Sequence, residues 1–341
     1  MSIHPDTMMD SHFGTMITSF PAAHRSITRA IDYLIASQLE YGEFPTYRFL
    51  TPSCDAHGEF ESALFVTCCV LYTLEWLPEP RVDEAIRKGL EFVLEERQEA
   101  GFWSYVSSRS GLTIDPDLDD TCFASFLTRA LTPGQFQGGN RSAILSNRLP
   151  NGIFKTFLRH PSEHNDTDSG VNANVLLYLG EDADTLGARD ALLQIVSEGR
   201  EVEQCEYYLD PLAVHHAISR AYWHGFDGLG GVRQDILERT FARISDPAGT
   251  GEFYLALAFI TACNFGCGFV PAWTPVLEFL LATQREDGSW RQQAFYSQPK
   301  PPPPRKYWWA TTALTTAFCL EALIRLNATV DGVPQVWPAR K

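Results

Sequence analysis

The sequence has no long apolar run and few basic residues. Its 341 residues contain no stretch of the length that spans a bilayer. Only 27 Lys and Arg stand against 42 Asp and Glu, which leaves a net charge of −15. A surface of this sign repels a polyanion such as DNA or RNA, so we expect no nucleic acid partner.

Cysteine spacing excludes two further classes. The eight Cys include no C-x-x-C pair, and several lie inside apolar helical patterns. The first residues also have neither the basic nor the apolar region of a secretory signal. We therefore expect a cytoplasmic protein with reduced core thiols, without disulfides and without a zinc site.

Alternation of period two, the signature of half-buried strands, is almost absent, whereas helical periodicity recurs along the whole chain. Turn residues separate evenly spaced patterns, and this spacing argues against a domain boundary. The sequence thus predicts an all-α fold, a single closed (α/α)6 barrel of six helical hairpins over 21–330, with an N-terminal extension at 1–20 and a tail at 331–341. An open α-solenoid is the alternative. The twelve predicted helices are 21–40, 58–77, 81–97, 118–131, 135–147, 168–180, 184–198, 208–223, 231–245, 250–265, 271–285 and 307–327.

A weak repeat supports the hairpins. The pattern Q-x-x-x-G-x-aromatic occurs at 38–44 and 284–290, in a shortened form at 98–103 and as a remnant at 151–154. Each copy follows an odd-numbered helix, where glycine can end the helix and the ring can pack under the turn. If odd helices form the outer ring, the inner helices all begin at one mouth of the barrel.

An acidic cluster opens the fourth predicted helix. Asp117 and Asp120 lie three residues apart on one face, whereas Asp119 shares a stripe with Phe123 and Phe126. A carboxyl above an aromatic, water-poor cavity has a raised pKa and stays protonated, as protonation of an alkene requires. We expect Asp117 and Asp120 to orient Asp119 by hydrogen bonds. Helix capping is the simpler explanation of the cluster.

Other polar and aromatic residues lie near the predicted starts of inner helices. Asn172 and Asn174 either cap a helix or hydrogen-bond the acid. The aromatic residues either pack the core or line the cavity and stabilise a cation. The aromatic candidates are Phe60, Phe123, Phe126, Tyr208, Tyr254, Trp308 and Trp309.

Two features remain open. A base that ends a cationic reaction is not identifiable, and the candidates are water, Glu59, Glu61, Asp168, His215 and His216. The proline-rich segment 299–306 is expected to form a stiff rim or lid across the mouth, whose three cations could hold a carboxylate or a diphosphate.

With these motifs the chain resembles a class II terpene cyclase of the squalene–hopene cyclase superfamily. The family's D-x-D-D-T motif stands at 117–121, and its Q-x-x-x-G-x-W repeat is clearest at 284–290. The resemblance implies that Asp119 is the general acid, assisted by Asp117 and Asp120. The chain is about half as long as a two-barrel cyclase. In its length it is similar to the small bacterial meroterpenoid cyclases, which act on a prenyl chain joined to an aromatic acid, such as geranylgeranylated dihydroxybenzoate.

Acid-initiated cyclisation implies no cofactor and no metal; Mg²⁺ would matter only for a diphosphate substrate. The expected partner is a hydrophobic prenylated molecule, delivered through a peripheral membrane contact or a carrier. The absence of a DDxxD motif argues against metal-triggered ionisation. The competing hypotheses are a non-enzymatic lipid-binding barrel and an (α/α)6 glycosidase with paired carboxylates. The sequence leaves the oligomeric state open.

Overall fold

The computed structural model describes residues 6–134, 139–298 and 305–330. Within them lie four short strands: β1 (Thr46–Phe49), β2 (Glu59–Glu61), β3 (Tyr296–Ser297) and β4 (Trp308–Ala310). The same residues form thirteen helices: α1 (Asp6–Ser37), α2 (Leu64–Leu74), α3 (Pro80–Glu95), α4 (Leu118–Leu131), α5 (Arg141–Ser146), α6 (Ser169–Leu179), α7 (Leu186–Ser197), α8 (Pro211–Trp223), α9 (Arg233–Arg243), α10 (Pro247–Thr250), α11 (Glu252–Asn264), α12 (Thr274–Thr283) and α13 (Thr312–Val330).

Six of the helices close into an inner ring. In ring order they are α2, α4, α6, α8, α11 and α13, and α13 packs back onto α2. All eleven residues of α2 are buried, whereas α3, outside the ring, buries only one stripe. Complete burial is typical of a helix surrounded by protein, and a single buried stripe is typical of a surface helix. The closed all-α barrel is therefore confirmed, and the open solenoid is wrong.

The repeats fasten the two rings together. Gln38 donates from Nε2 to the carbonyl oxygen of Ala85 on the next outer helix at 2.9 Å. The backbone N–H of Phe44, at the end of this copy, donates to Oγ1 of Thr67 on inner helix α2 at 2.9 Å. The other copies repeat the second contact, with Thr121, Asn172 and Thr316 as acceptors. Each repeat thus fixes the depth at which the next inner helix starts.

A four-stranded antiparallel sheet in the order β2-β1-β4-β3 is absent from the prediction. Residues 58–63 and 307–311 were predicted as the first turns of helices. Instead β2 and β4 occupy these positions, so α2 begins at Leu64 and α13 at Thr312. The strands have two to four residues, too few to show a period-two pattern. Strands β1 and β2 precede inner helix α2, and β3 and β4 precede inner helix α13. The sheet therefore lies at the mouth, where the inner helices begin.

Two predicted helices, the first and the fifth, have other bounds in the structure. Helix α1 begins at Asp6, so most of the predicted extension 1–20 continues this helix. In place of the helix predicted at 135–147 the structure has α5, and residues 135–138 lie outside the described part. The predicted tail 331–341 and most of the predicted strap, 299–304, lie outside it as well.

Candidate active site

The acidic motif forms the N-terminus of α4. Asp117 is the N-cap, and its Oδ1 accepts the backbone N–H of Asp120 at 2.8 Å. An extended N-cap followed by helical residues turns successive side chains to different sides. Asp117 and Asp120 are consequently buried at 4% and 3% exposure, while Asp119 remains half-buried.

Two hydrogen bonds hold the carboxyl group of Asp119. Asn174, on α6, donates from Nδ2 to Oδ1 at 2.5 Å. Tyr208, just before α8, donates its hydroxyl to Oδ2 at 2.5 Å. Tyr208 reaches this position because its ring lies against Gly170, where a Cβ atom would come within 2.4 Å of the ring. Chain segments far apart in sequence thus fix one carboxyl group.

Burial dominates the electrostatics of Asp119. It raises the pKa of this carboxyl from 3.8 to about 6, although the hydrogen bonds from Tyr208 and Asn174 act in the opposite direction. Burial also raises the pKa of the Tyr208 hydroxyl well above its usual value, so this group keeps its proton and remains a donor. Asp119 can therefore carry a proton near neutral pH while its conjugate base is already stabilised.

The expected hydrogen bonds from the flanking acids to Asp119 were a wrong prediction. Among the described residues, the side-chain donors to Asp119 are Asn174 and Tyr208. Asp117 is the cap that the simpler explanation expected, and burial raises its pKa to about 7. Burial and the neighbouring carboxylates raise the pKa of Asp120 well above its usual value.

Contacts between helices that are not neighbours in the ring define the lumen. The guanidinium of Arg220, on α8, lies 4.1 Å from the ring centre of Phe123 on α4. His216, one turn earlier on α8, meets Phe318 of α13 edge to face at 5.2 Å. One inner helix separates the two members of each pair, so these side chains meet inside the barrel.

Aromatic rings surround the acid at the mouth end of the lumen. Phe295 stacks on Phe65 at 5.9 Å and meets Tyr208 edge to face at 5.0 Å. Above them, Tyr296 stacks on Trp309 at 5.6 Å and donates its hydroxyl to that of Tyr105 at 2.8 Å. These rings provide the apolar faces that a cation would need.

The space beneath the sheet is internal. Burial is the largest cause of the raised pKa values of Asp119, Tyr105 and Tyr296, so protein surrounds all three. Each nevertheless keeps accessible surface and is only half-buried. The acid is therefore enclosed by protein without being completely covered.

The predicted aromatic residues divide into two groups. Phe123, Phe126, Tyr208 and Trp309 lie in the lumen. The other three, Phe60, Trp308 and Tyr254, lie outside it, so cavity lining does not hold for them, and buried Tyr254 packs in the core as the other alternative expected. Phe60 is 47% exposed on β2, and Trp308 packs on the far side of β4 because side chains alternate along a strand. The hydroxyl of Tyr254 donates to the carbonyl oxygen of Ala294, which belongs to the cluster against which Trp308 packs.

The two asparagines have different positions. Asn174 contacts the acid, as described above. Asn172 instead bonds both backbone groups of Phe154, accepting from its N–H at 2.9 Å and donating to its carbonyl at 3.0 Å. It is the equivalent of Thr67 and Thr121 in the ties between rings and does not reach Asp119.

The candidate bases also separate by their partners. Asp168 accepts hydrogen bonds from four backbone N–H groups, and Glu61 accepts from the indole N–H of Trp309. Glu59 pairs with Arg48 at 2.6 Å, and His215 bonds Glu201 at 2.8 Å. Among the described residues, each of the two histidines has one buried ring nitrogen without a hydrogen-bond partner, Nδ1 of His215 and Nε2 of His216.

Sequence reasoning missed several residues of the lumen, namely Phe65, Tyr105, Arg220, Phe253, Phe295, Tyr296 and Phe318. A positional rule could have found two of them. Asp119 is the second residue after its N-cap, and so are Phe65 after Ala63 and Phe253 after Gly251. No comparable signal marks Arg220, because its position depends on contacts across the ring.

Within the described residues, no cluster of three or more His, Cys, Asp or Glu side chains could hold a metal ion. In the same part of the chain, no helix combines the length and apolarity that a bilayer crossing needs.

No protein-family model and no curated protein matches the sequence. Solved structures do match. A protein from Actinoplanes is 18% identical with a TM-score of 0.69, covering 89% of this chain and 99% of its own. A variant of the type II terpene cyclase MstE from Scytonema, in complex with geranylgeranyl dihydroxybenzoate, is 18% identical with a TM-score of 0.68, covering 91% of this chain and 99% of its own.

A more distant match is the GH76 α-mannanase BT2949 from Bacteroides thetaiotaomicron, 10% identical with a TM-score of 0.53, covering 91% of this chain and 97% of its own. The barrel is therefore shared by proteins of different chemistry, and the site has to decide between them. What the comparisons establish is the fold: this chain has the helical-barrel fold of the type II terpene cyclase MstE.

Proposed function

We propose that this protein is a class II terpene cyclase with Asp119 as its general acid. The observation that carries the proposal is a single half-buried carboxyl, held by two donors inside a lumen of aromatic rings. This arrangement combines a proton source with an environment that disfavours water and favours a cation. The D-x-D-D-T motif, at the start of α4, supplies the same residue.

Initiation follows from the geometry of Asp119. An alkene is a very weak base, so the acid that protonates it must have a well stabilised conjugate base. The Tyr208 hydroxyl and the Asn174 amide each donate to one carboxyl oxygen and stabilise the carboxylate left behind. The proton forms a C–H bond at the distal alkene, and the remaining carbon becomes the first cation.

Propagation needs neighbouring alkenes and stabilising faces. Each alkene donates its electron pair to the preceding cation, which closes a ring and moves the charge along the chain. The faces of Phe65, Phe295, Tyr296 and Trp309 can stabilise this charge by cation–π attraction, roughly 0.5–2 kcal/mol for each ring. A lumen that folds the polyene beforehand also lowers the entropic barrier of each closure.

Termination returns a proton. Loss of a proton from a carbon next to the last cation forms the final double bond, so the product is an isomer of the substrate. We assign this step to His216, whose ring meets Phe318 inside the barrel. Its Nε2 is unpartnered, and burial together with Arg220 and Arg325 lowers its pKa well below the usual value, so the ring is neutral and can accept a proton.

For the substrate we propose a geranylgeranylated or similarly prenylated aromatic acid. The support is the fold shared with MstE, whose structure holds geranylgeranyl dihydroxybenzoate. The two described cations of the proline-rich segment, half-buried Arg305 and exposed Lys306, stand beside β4 at the mouth and could bind the acid group.

A glycosidase is less compatible with this site. It needs two carboxyl groups facing one wet cleft, about 5–10 Å apart. Here Asp117 and Asp120 are buried, and Asp117 is occupied as a helix cap. Only Asp119 of the three faces the lumen, where aromatic rings predominate over sugar-binding polar groups. A passive lipid-binding barrel would share the rings but would not require an acid with two dedicated donors.

Purified protein incubated with geranylgeranylated dihydroxybenzoate, geranylgeranyl diphosphate and squalene, each with and without EDTA, tests the proposal. Chromatography with mass detection should show a new product of unchanged mass that is insensitive to EDTA and absent with Asp119→Asn. A protein that retains one polyene tightly but converts none would be a lipid-binding barrel. Release of diphosphate that EDTA prevents would indicate metal-dependent chemistry instead.

A further inference from the structure

A buried arginine stands behind the groups that hold the acid. Arg220 is 3% exposed, and its Nη2 donates to Oδ1 of Asn174 at 2.6 Å. The amide of Asn174 in turn donates from Nδ2 to Asp119 at 2.5 Å. A continuous chain of hydrogen bonds therefore runs from the guanidinium of Arg220 through the amide of Asn174 to the carboxyl of Asp119.

The position of Arg220 is costly. Its Nε is buried without a hydrogen-bond partner, and its charge lies among the rings of Phe123 and Tyr72, at 4.1 and 5.6 Å from their centres. A buried unsatisfied donor and a buried charge both destabilise a fold. Packing alone would favour an apolar side chain at this position.

The chemistry of the amide suggests what Arg220 does. A side-chain amide has a donor end and an acceptor end, and a half-turn exchanges them. In the opposite orientation Oδ1 of Asn174 would face Asp119 and could accept its carboxyl proton. A guanidinium has donors only, so it can pair with Oδ1 and cannot pair with the NH2 group. With Arg220 in place, only one orientation of Asn174 satisfies both neighbours.

We infer that Arg220 is a positioning residue that fixes the Asn174 amide as a donor to Asp119, which keeps the carboxyl proton available to the lumen and stabilises the carboxylate formed when the proton leaves. This inference rests on the proposed function for its role in turnover. Its structural part, the control of the protonation of Asp119, does not depend on any substrate.

Other charges also act on Asp119, and Arg220 is the positive one among them. The titratable groups that face it from its own and the packed elements are Asp117, Asp120 and Cys122 of α4, Cys69 of α2, Asp168 at the start of α6, Tyr208 before α8 and Arg220 of α8. A plain charge effect of Arg220 would act on Asp119 directly, whereas the inferred effect acts through Asn174. The test must separate the two.

Isotope-edited infrared titration of protein labelled with ¹³C-aspartate separates them without a substrate. The band of Asp119 is assigned by its loss in Asp119→Asn. Arg220→Met should raise the pKa of Asp119 by about one pH unit or more. The same change in an Asn174→Leu background should have less than half of that effect. No rise in the first case, or an effect of half or more in the second, would overturn the inference.

Turnover provides the second arm. Arg220→Met and Asn174→Leu should each lower kcat/KM about 10- to 100-fold, and the double variant should be no slower than the slower single variant. Arg220→Lys keeps the charge and should restore part of the activity. The matched control is Arg129→Met, at an exposed arginine over the ring of Tyr178, which should leave kcat/KM unchanged. Fully additive losses would contradict the inference, and a wild-type protein inactive on every polyene would refute the proposed function while the titration still decides the role of Arg220.

Discussion

At the scale of residues, the site places an acid where acids are unfavourable. Asp119 lies among aromatic rings, and burial outweighs the two hydrogen bonds that favour its ionised form. The sequence predicted this residue because the motif and the stripe shared with Phe123 are local. It predicted Asn174 only as one of two alternatives, and it did not predict Arg220, since that contact joins residues 46 positions apart on the neighbouring helices α6 and α8.

Because the pKa of Asp119 is raised on folding, the stability of the fold depends on pH. Its folded-state value of about 6 lies above the unfolded value of 3.8, so the folded protein binds this proton more tightly. The resulting stabilisation is complete below pH 3.8 and is lost as pH rises through about 6. At about 1.4 kcal/mol per pH unit, the difference is about 3 kcal/mol.

Replacement of Asp119 by Asn removes this titration. At pH 8 we expect the free energy of unfolding of Asp119→Asn to exceed that of the wild type by up to about 3 kcal/mol. This gain in stability should shrink towards pH 4. Urea unfolding at both pH values measures the difference. A gain independent of pH would mean that Asp119 has an ordinary pKa in the folded protein.

The two adjacent histidines offer a matched pair for the termination step. His216 has the unpartnered Nε2 in the lumen, whereas His215 bonds Glu201. His216→Gln should still consume substrate but should yield additional alkene isomers or products that have captured water. His215→Gln should retain the wild-type product. Identical product profiles for wild type and His216→Gln, by chromatography with mass detection, would remove His216 as the base.

At the scale of elements, the helices were predictable and the sheet was not. The inner helices are apolar on all sides, and the repeats mark where outer helices end, so both signals lie within about 20 residues of sequence. The strands pair residues such as Arg48 and Trp309, which only the closed ring brings together. The sheet in turn decides which aromatic residues face the acid, and for this reason Phe60 and Trp308 were misplaced.

Alternation along β4 separates two neighbouring tryptophans. Trp309 contacts Tyr296 and Tyr105, whereas Trp308 packs with Phe49 on the other side. Trp309→Leu should lower kcat/KM about tenfold or more with little change in Tm, because a stabilising ring face is lost. Trp308→Leu should lower Tm and leave the product profile unchanged. The reverse pattern in these two measurements would place the reaction on the other face of the sheet.

The glycine of the first repeat should be irreplaceable for a geometric reason. Gly42 has φ of +101°, and a Cβ atom there would lie 2.0 Å from the carbonyl oxygen of Lys88. Gly42→Ala should therefore destabilise the fold by about 3 kcal/mol or more in urea unfolding. Gly111 also has a positive φ, of +70°, but with open space around it, so Gly111→Ala should cost only about 1 kcal/mol. Equal costs would show that the turn does not depend on close contact with α3.

At the scale of the whole molecule, closure of the ring turns a linear repeat of hairpins into a barrel. Because all inner helices run in the same direction, their first turns bring Asp119, Asn174 and Tyr208 together from three hairpins. Deeper in the lumen, side chains such as Tyr72, His224 and Arg325 fill the space. Asp119, at the start of α4, lies at the end of the barrel that carries the sheet.

The central claim is that Asp119 starts cyclisation by giving a proton to a carbon–carbon double bond. A reaction run in D2O tests it directly, because the acid exchanges its proton with solvent before each turnover. The account predicts a cyclised product that carries one deuterium on carbon at the initiating end of the chain, and no product with Asp119→Asn. A cyclised product without deuterium, or turnover by a folded Asp119→Asn protein, would contradict it.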